Sequence, residues 1–220
     1  MKQHFKTVVF DVDGTLLDTS EGVLSSVKKT IVEFGFNEIS DEELRSFIGP
    51  PIQDSFSRMY GVKGDKLQEI ATFFRDKYKN DDLLKAKPYE GIYDVFEELK
   101  KMDIKTAIAT YKRQDYAEKI MNYFGFNKYT NVIFGADHFN KLKKMDIIKK
   151  CLTSTGVNDY SDALMIGDSD NDAFGARQIG TAFLGVTYGF GFKSDTEVNE
   201  YPNIGTASSP QEIIDLLFGE

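Results

Sequence analysis

The residues with the clearest chemical potential lie near the start of the chain, where residues 8–18 read VVFDVDGTLLD. Asp11 and Asp13 are two positions apart, so their side chains point the same way in an extended chain. Two carboxylates at the end of a buried strand repel each other unless a cation, a shared proton or a reacting group lies between them. Gly14 permits a tight turn and lets a ligand approach the backbone amides. This arrangement suits a phosphoryl group and Mg²⁺.

The elements that would position these carboxylates follow a strand and helix pattern. The apolar run before Asp11 contains β-branched and aromatic residues, which predicts a buried strand. From about residue 90, helical patterns alternate with predicted strands at residues 105–109, 132–134, 163–166 and 181–186. This alternation predicts a parallel sheet with right-handed crossovers, in which ligands bind outside the carboxyl ends of the strands.

Residues 21–79 have a different texture, with helical periodicity and little strand character. Turns at residues 35, 49–51 and 61–64 divide this stretch into roughly four helices. We therefore predict an α/β protein. Its Rossmann-like parallel sheet core, flanked by helices, comprises residues 1–16 and 85–220, and a small α-helical domain of residues 17–84 is inserted after the first strand. The expected hinges are residues 17–20 and 84–90.

Composition excludes several classes of protein. The net charge of the 220 residues is −8, which argues against a nucleic-acid or anionic-membrane partner. No segment approaches 18 uncharged apolar residues, and no signal peptide is recognisable. The single cysteine, Cys151, lies among apolar residues at helical spacing, which predicts a buried structural thiol. No disulfide can form within the chain, so we expect a cytoplasmic location.

Three further segments lie where strands end or helices begin, namely IKTAIATYK at 104–112, KLKKMDII at 141–148 and ALMIGDSDNDAFG at 163–175. With DVDGT at 11–15, the four segments resemble, in order and approximate separation, the motifs of the haloacid dehalogenase-like superfamily. The resemblance covers most of the chain. Within that superfamily the helical insertion and the segments RSFIGPPIQDSF and GVTYGFG are similar to the phosphoglycolate-phosphatase-like branch, in which the insertion is a cap.

The resemblance implies roles for individual residues. It implies catalysis by Asp11 as nucleophile, Asp13 as general acid and base, and Thr110 and Lys144 as stabilisers of the phosphoryl charge. It implies substrate binding by Gly14, Thr15, Thr110, Tyr111 and Lys144. It implies Mg²⁺ as cofactor, held by Asp11, the Asp13 carbonyl and Asp168, with Asp172 holding a metal-bound water or Lys144.

The chain departs from the family pattern at two places. Tyr111 follows Thr110 where Asn or Ser is usual, so substrate scope differs if the side chain is used there. The catalytic lysine is usually followed by Pro, which is absent here, and Lys141, Lys143 and Lys144 are all available. The variant pattern Lys-x-acid-x-Ile selects Lys144. Lys112 either reaches the mouth of the site or is simply solvated.

The function implied by the resemblance is Mg²⁺-dependent hydrolysis of small phosphomonoesters by a monomer or homodimer, through an aspartyl-phosphate intermediate. An acid at position 13 is absent from dehalogenases of this fold, because a halide leaves without a proton. Gly167 before Asp168, in place of Glu, argues against a mutase. The alternatives are a 5′-nucleotidase acting on nucleoside monophosphates and a non-catalytic binding module on the same fold. The small phosphorylated metabolite that would be the substrate is not specified by the sequence.

Overall fold

The computed structural model describes residues 5–137 and 141–219, so residues 1–4, 138–140 and 220 of the predicted core lie outside the described residues. The described chain divides into two compact units, one of residues 5–17 and 88–219 and one of residues 18–87. Leu17 belongs to the first unit and residues 85–87 belong to the second. Both boundaries therefore fall slightly later in the sequence than the pattern predicts.

The larger unit contains a six-stranded parallel sheet. The described residues form eight strands: β1 (Thr7–Phe10), β2 (Leu17–Asp18), β3 (Lys87–Pro88), β4 (Lys105–Arg113), β5 (Ile133–Ala136), β6 (Ala163–Gly167), β7 (Ala182–Val186) and β8 (Thr206–Ala207). The sheet order is β5-β4-β1-β6-β7-β8, and all five pairings between neighbouring strands of this sheet are parallel. The α/β fold with a parallel sheet, predicted from the alternation of strands and helices, is confirmed.

β1 lies in the middle of the sheet, and this position decides where its carboxylates go. Thr7 is opposite Lys105 of β4 on one side and opposite Ala163 of β6 on the other. All four β1 residues are buried, as expected for a strand covered on both faces. Asp11 follows β1 directly and thus lies at an edge where three strands end together.

Helices cover both faces of this sheet. The described helices of the larger unit are α5 (Ile92–Lys101), α6 (Gln114–Tyr123), α7 (Lys144–Thr155), α8 (Asp170–Ile179), α9 (Asp195–Val198) and α10 (Pro210–Phe218). Side chains alternate along β1. Val9 packs in a cluster with residues of α7 and α8, whereas the Phe10 ring lies 4.8 Å from the Phe96 ring of α5. Asp11 shares the Val9 face, so it is directed towards α7 and α8.

The smaller unit is helical, as its periodicity predicts. It contains α1 (Ser20–Glu33), α2 (Asp41–Arg45), α3 (Ile52–Tyr60) and α4 (Gly64–Lys77), followed by a π-helical turn at Tyr78–Asp82. Its core includes the buried side chains of Phe47, Phe56 and Ile70.

A buried carboxylate lies at the end of this unit's π-helical turn. Asp82 accepts hydrogen bonds from the Ser26 hydroxyl at 2.7 Å and from the Lys29 and Lys85 ammonium groups at 2.9 and 2.8 Å. Although burial opposes it, these hydrogen bonds lower the pKa of Asp82 to about 2. The ionised carboxylate therefore ties the turn to α1.

The predicted burial of the single cysteine is confirmed. Cys151 is fully buried, and burial raises the pKa of its thiol to about 12, so it is not a nucleophile at neutral pH. Over residues 5–137 and 141–219, none of the helices combines the length and apolar character that crossing a bilayer requires.

Candidate active site

The candidate site lies at the carboxyl ends of β1, β4 and β6. Asp11 follows β1, Thr110 lies in the last part of β4, and Asp168 follows β6. These strands are neighbours in the sheet, and ligands of parallel α/β sheets bind at this edge. The structure therefore brings together residues from three separate sequence segments, as their strand-end positions predict.

Three buried carboxylates form the centre of the site. Asp11, Asp168 and Asp172 each offer one oxygen such that these oxygens lie within 4.8 Å of one another. Asp172 is in the first turn of α8. It packs so tightly against Gly167 that a Cβ there would overlap its carboxylate. This close packing is a physical reason for glycine, rather than a larger residue, immediately before Asp168.

Lys144 provides the cation at the centre of these carboxylates. It is the first residue of α7, and its Nζ lies 2.5 Å from Asp11 Oδ1 and 2.7 Å from Asp172 Oδ1. Its side chain is only 4% exposed. Although burial opposes it, the two carboxylates raise the pKa of Lys144 above its ordinary value. The ammonium is thus charged at neutral pH.

The other two candidate lysines occupy different positions. Lys141 and Lys143 are both exposed. The backbone N–H of Lys143 donates to Asp146 Oδ2 at 2.9 Å, which belongs to the cap of α7. Of the three lysines, the structure places Lys144 against Asp11.

Asp13 carries its own buried counter-ion. Lys112 Nζ lies 3.0 Å from Asp13 Oδ1, and the two side chains are 5% and 9% exposed. The sequence did not determine whether the Lys112 side chain lies in the site or in solvent. The structure places it in the site, because the last part of β4 carries its side chain inwards.

The balance of charge in this cluster fits a divalent cation. Asp11, Asp13, Asp168 and Asp172 carry four negative charges when ionised, and Lys112 and Lys144 carry two positive charges. These six groups together then carry two uncompensated negative charges. Uncompensated charge is costly in a buried region. Oxygen ligands of this type are those that Mg²⁺ prefers.

The pKa values of two carboxyl groups in this cluster are raised. Burial raises the pKa of Asp11 above its ordinary value; the Lys144 ammonium opposes this shift, and the Asp172 carboxylate adds to it. Burial, with the charge of Asp172, raises the pKa of Asp168 to about 7, although backbone amides oppose this. Without a bound cation, the two groups therefore retain protons at higher pH than ordinary aspartates.

An irregularity in β4 shapes the site around Thr110. Ala109 is opposite Phe134 and Arg113 is opposite Ala136, so four steps along β4 match two along β5. Such bulges are common beside active sites, where they redirect side chains. Within the bulge, the buried Thr110 Oγ1 accepts a hydrogen bond from the Lys112 backbone N–H at 3.1 Å. The sequence prediction ended this strand at residue 109 and did not foresee the bulge.

Tyr111 uses its side chain. Its phenolic oxygen accepts a hydrogen bond from the Lys144 backbone N–H at 2.9 Å, and the Lys144 ammonium lies 5.6 Å from the centre of the Tyr111 ring. The first turn of a helix leaves its N–H groups without helical partners. Tyr111 satisfies one of them and thereby supports the residue that contacts Asp11.

The loop after β7 holds Asp168 in place. Backbone N–H groups of Phe190 and Gly191 donate to Asp168 Oδ2 at 2.7 and 3.0 Å. The segment GVTYGFG contributed to the resemblance, but its contact with Asp168 was not predicted, because Phe190 and Gly191 lie 22 and 23 residues after Asp168 in the sequence. The glycines on either side of Phe190 were the only indication in the sequence that the backbone packs closely against another group there.

The backbone amides at Gly14 and Thr15 are paired within a turn, and their predicted role in substrate binding stays a prediction. The Gly14 N–H donates to the Leu17 carbonyl at 3.0 Å, and the Thr15 N–H donates to the Val12 carbonyl at 3.3 Å. Gly14 has a φ of +79°, and a Cβ there would overlap the Asp168 carboxylate. The Thr15 hydroxyl is fully buried. The lack of a side chain at Gly14 therefore permits close packing against Asp168. Its amide is paired within the turn.

Comparisons with known proteins agree with this arrangement. The family model of haloacid dehalogenase-like hydrolases matches residues 8–186. A 5′-nucleotidase of Pseudomonas aeruginosa is 30% identical over 90% of this chain and 89% of its own. The pyrophosphatase PpaX of Halalkalibacterium halodurans is 27% identical over 97% of both chains. A phosphoglycolate phosphatase of Aquifex aeolicus is 25% identical over 96% of both.

A solved structure is similar over the same extent. The crystal structure of a predicted phosphatase from Clostridium acetobutylicum has a TM-score of 0.88 and 30% identity, and the match covers 96% of this chain and 99% of that chain.

Proposed function

Because the chain belongs to the haloacid dehalogenase-like hydrolases and is a phosphatase of that family, we propose that it hydrolyses small phosphomonoesters through an aspartyl-phosphate intermediate. One observation carries this proposal. Asp11 lies buried at the end of β1 against the Lys144 ammonium, and a second carboxyl group follows two residues later at Asp13. A nucleophile and an acid are thus available side by side.

In the first step, Asp11 attacks phosphorus while the bond from phosphorus to the leaving oxygen breaks. Asp13 gives its proton to that oxygen, so the product leaves as an alcohol. The covalent carboxylate intermediate splits one difficult displacement into two easier ones. Lys144 and the Thr110 hydroxyl stabilise the negative charge that spreads over the phosphoryl oxygens.

In the second step, water attacks the phosphorus of the aspartyl-phosphate. Asp13, now ionised, accepts a proton from that water, and Asp11 is released as a carboxylate. Asp13 is thereby protonated again for the next substrate. The same side chain serves both steps because proton donation in the first prepares proton acceptance in the second.

Mg²⁺ is the proposed cofactor, with Asp11, the Asp13 carbonyl and Asp168 as its ligands and Asp172 beside them. When bound, it supplies positive charge that polarises the phosphoryl group and neutralises the substrate. The supporting observation is the excess of two negative charges in the buried cluster. Asp172, which already contacts Lys144, would orient that lysine or a metal-bound water.

For the substrate, we propose a small phosphorylated metabolite of the phosphoglycolate type, used by a cytoplasmic monomer or homodimer. Residues 18–87 would act as the cap that selects it. Nucleoside monophosphates are the second candidate class, because a relative that is 30% identical is a 5′-nucleotidase. Pyrophosphate belongs in the comparison because PpaX is a pyrophosphatase. No nucleic-acid or membrane partner is proposed.

The test is phosphate release from phosphoglycolate, nucleoside monophosphates, sugar phosphates and pyrophosphate, with Mg²⁺ and with a chelator. We expect release that requires Mg²⁺ and disappears in Asp11→Asn, which keeps the size of the side chain but not the nucleophile. Asp170→Asn is the matched control, since Asp170 lies two residues after Asp168, at the start of α8, and is exposed. Equal release by wild type and Asp11→Asn would refute the mechanism, and no release from any compound would refute the proposed substrate class.

A further inference from the structure

Lys112, the last residue of the segment IKTAIATYK, is a buried cation of the site, and the steps proposed above give it no role. Its side chain is 5% exposed and its Nζ lies 3.0 Å from Asp13 Oδ1. Lysine is almost never buried without a counter-charge. Breaking such a pair costs more than the pair contributes, so a buried pair is weak support for a role in stability alone.

The position of Lys112 is fixed by the backbone around it. Its N–H donates to Thr110 Oγ1 within the bulge of β4. On the neighbouring strand, Gly135 has no Cβ, and a Cβ there would overlap the Lys112 carbonyl. The bulge and Gly135 together let residue 112 run close to β5 with its side chain turned towards Asp13. The ammonium therefore projects from a strand of the sheet and not from a loop.

Each of the two lysines of the site contacts a different one of the carboxylates of Asp11 and Asp13. Lys144 contacts Asp11, the proposed nucleophile, and Lys112 contacts Asp13, the proposed acid and base. We propose that Lys112 is a positioning residue for Asp13: its ammonium holds the Asp13 carboxyl group in the orientation from which it protonates the leaving oxygen. This inference rests on the proposed phosphatase function.

The proton balance leaves Lys112 unchanged through the cycle. The proton on the leaving oxygen comes from Asp13, and water restores it in the second step. The Lys112 ammonium keeps its three protons throughout and faces the negative charge that develops on Asp13 as its proton leaves. Fixed charges aimed at developing charge stabilise a transition state because no reorganisation is needed during the reaction.

Substrates whose leaving groups differ in basicity distinguish this positioning role from a purely structural one. An aryl phosphate such as p-nitrophenyl phosphate releases a stable anion that scarcely needs a proton. An alkyl phosphate such as phosphoglycolate releases an alkoxide that does need one. General acid catalysis contributes roughly 10²- to 10⁴-fold. Loss of Asp13 positioning should therefore slow the alkyl substrate far more than the aryl substrate.

The experiment compares kcat/KM for both substrates in wild type, Lys112→Met, Lys112→Gln and Lys112→Arg. For Lys112→Met and Lys112→Gln, we expect a decrease of roughly 10²-fold or more with the alkyl phosphate and a decrease of less than about tenfold with the aryl phosphate. Lys112→Arg should recover part of the alkyl activity, because it restores the positive charge. Lys105→Met removes an ammonium from the opposite, exposed end of β4 and should change neither rate.

A double variant adds a second criterion. If Lys112 acts through Asp13, then Lys112→Met should cost little more alkyl activity in an Asp13→Asn background than Asp13→Asn costs alone. Equal losses on both substrates, or full additivity with Asp13→Asn, would overturn the inference while leaving the phosphatase intact. A wild type inactive on both substrates would instead refute the proposed function, and this inference with it.

Discussion

Replacing Asp168 with asparagine should stabilise the metal-free protein at pH 8 while removing its response to Mg²⁺. Asp168 is 3% exposed, and its pKa is raised from 3.8 to about 7, first by burial and then by the Asp172 carboxylate. Asparagine has nearly the same shape. Its side-chain oxygen can still accept the N–H groups of Phe190 and Gly191, which donate to Asp168 Oδ2.

The sign and size of the effect follow from the pKa shift. A carboxyl group whose pKa is raised in the folded state contributes stability that is fully present below about pH 4 and is lost as pH rises through about 7. The shift from 3.8 to about 7 corresponds to roughly 4 kcal/mol at pH 8, at about 1.4 kcal/mol per unit. Because Asp11 and Asp172 share the site, we expect the variant to gain about 2–4 kcal/mol.

The assay is urea unfolding of chelator-treated wild type and Asp168→Asn between pH 5 and pH 8, repeated with Mg²⁺. The advantage of the variant should grow with pH, and Mg²⁺ should stabilise only the wild type appreciably. The exposed neighbour, changed in Asp170→Asn, should alter stability by no more than about 0.5 kcal/mol. A metal-free Asp168→Asn less stable than wild type at pH 8 would refute the argument that the cluster lacks positive charge.

Three further changes probe other contacts. Thr110→Val should lower kcat by about 10- to 1000-fold, because the proposed donor to the phosphoryl group is removed; steady-state kinetics with unchanged thermal unfolding would check this. Tyr111→Phe removes the acceptor for the Lys144 N–H and should cost about 1 kcal/mol in urea unfolding. Asp82→Asn should cost about 2 kcal/mol at pH 7, because the wild-type pKa is lowered to about 2. The difference should shrink as pH falls from about 4 towards 2, and a pH-independent difference would contradict it.

Much of the fold was predictable because its elements follow local patterns. The β-branched run before Asp11 and the alternation beyond residue 90 each predict elements that the structure contains. The convergence of Asp11, Thr110 and Asp168 was equally accessible. Each follows or lies near the end of a predicted strand, and parallel strands present those ends at one edge.

What the sequence did not predict depends on register and packing between distant segments. The bulge in β4 is a mismatch with β5, and no local pattern in either strand specifies it. Without the bulge, the direction of Lys112 could not be inferred. The contact of the loop at Phe190 and Gly191 with Asp168 also joins separate segments. Propensity describes a residue's neighbours in the chain, whereas these features come from neighbours in space.

The central place of β1 in the sheet has a consequence for how the chain acquires its structure during synthesis. Residues 7–10 pair with residues 105–108 and 163–166, so β1 cannot complete its pairing until about 150 further residues have been made. Such distant pairings make folding slow, because long loops must close before the contacts reward them. Meanwhile residues 18–87 form a compact unit of their own and can fold first, as domains generally do. Asp11 and Lys144, which lie 133 residues apart in the sequence, are therefore expected to meet late in folding.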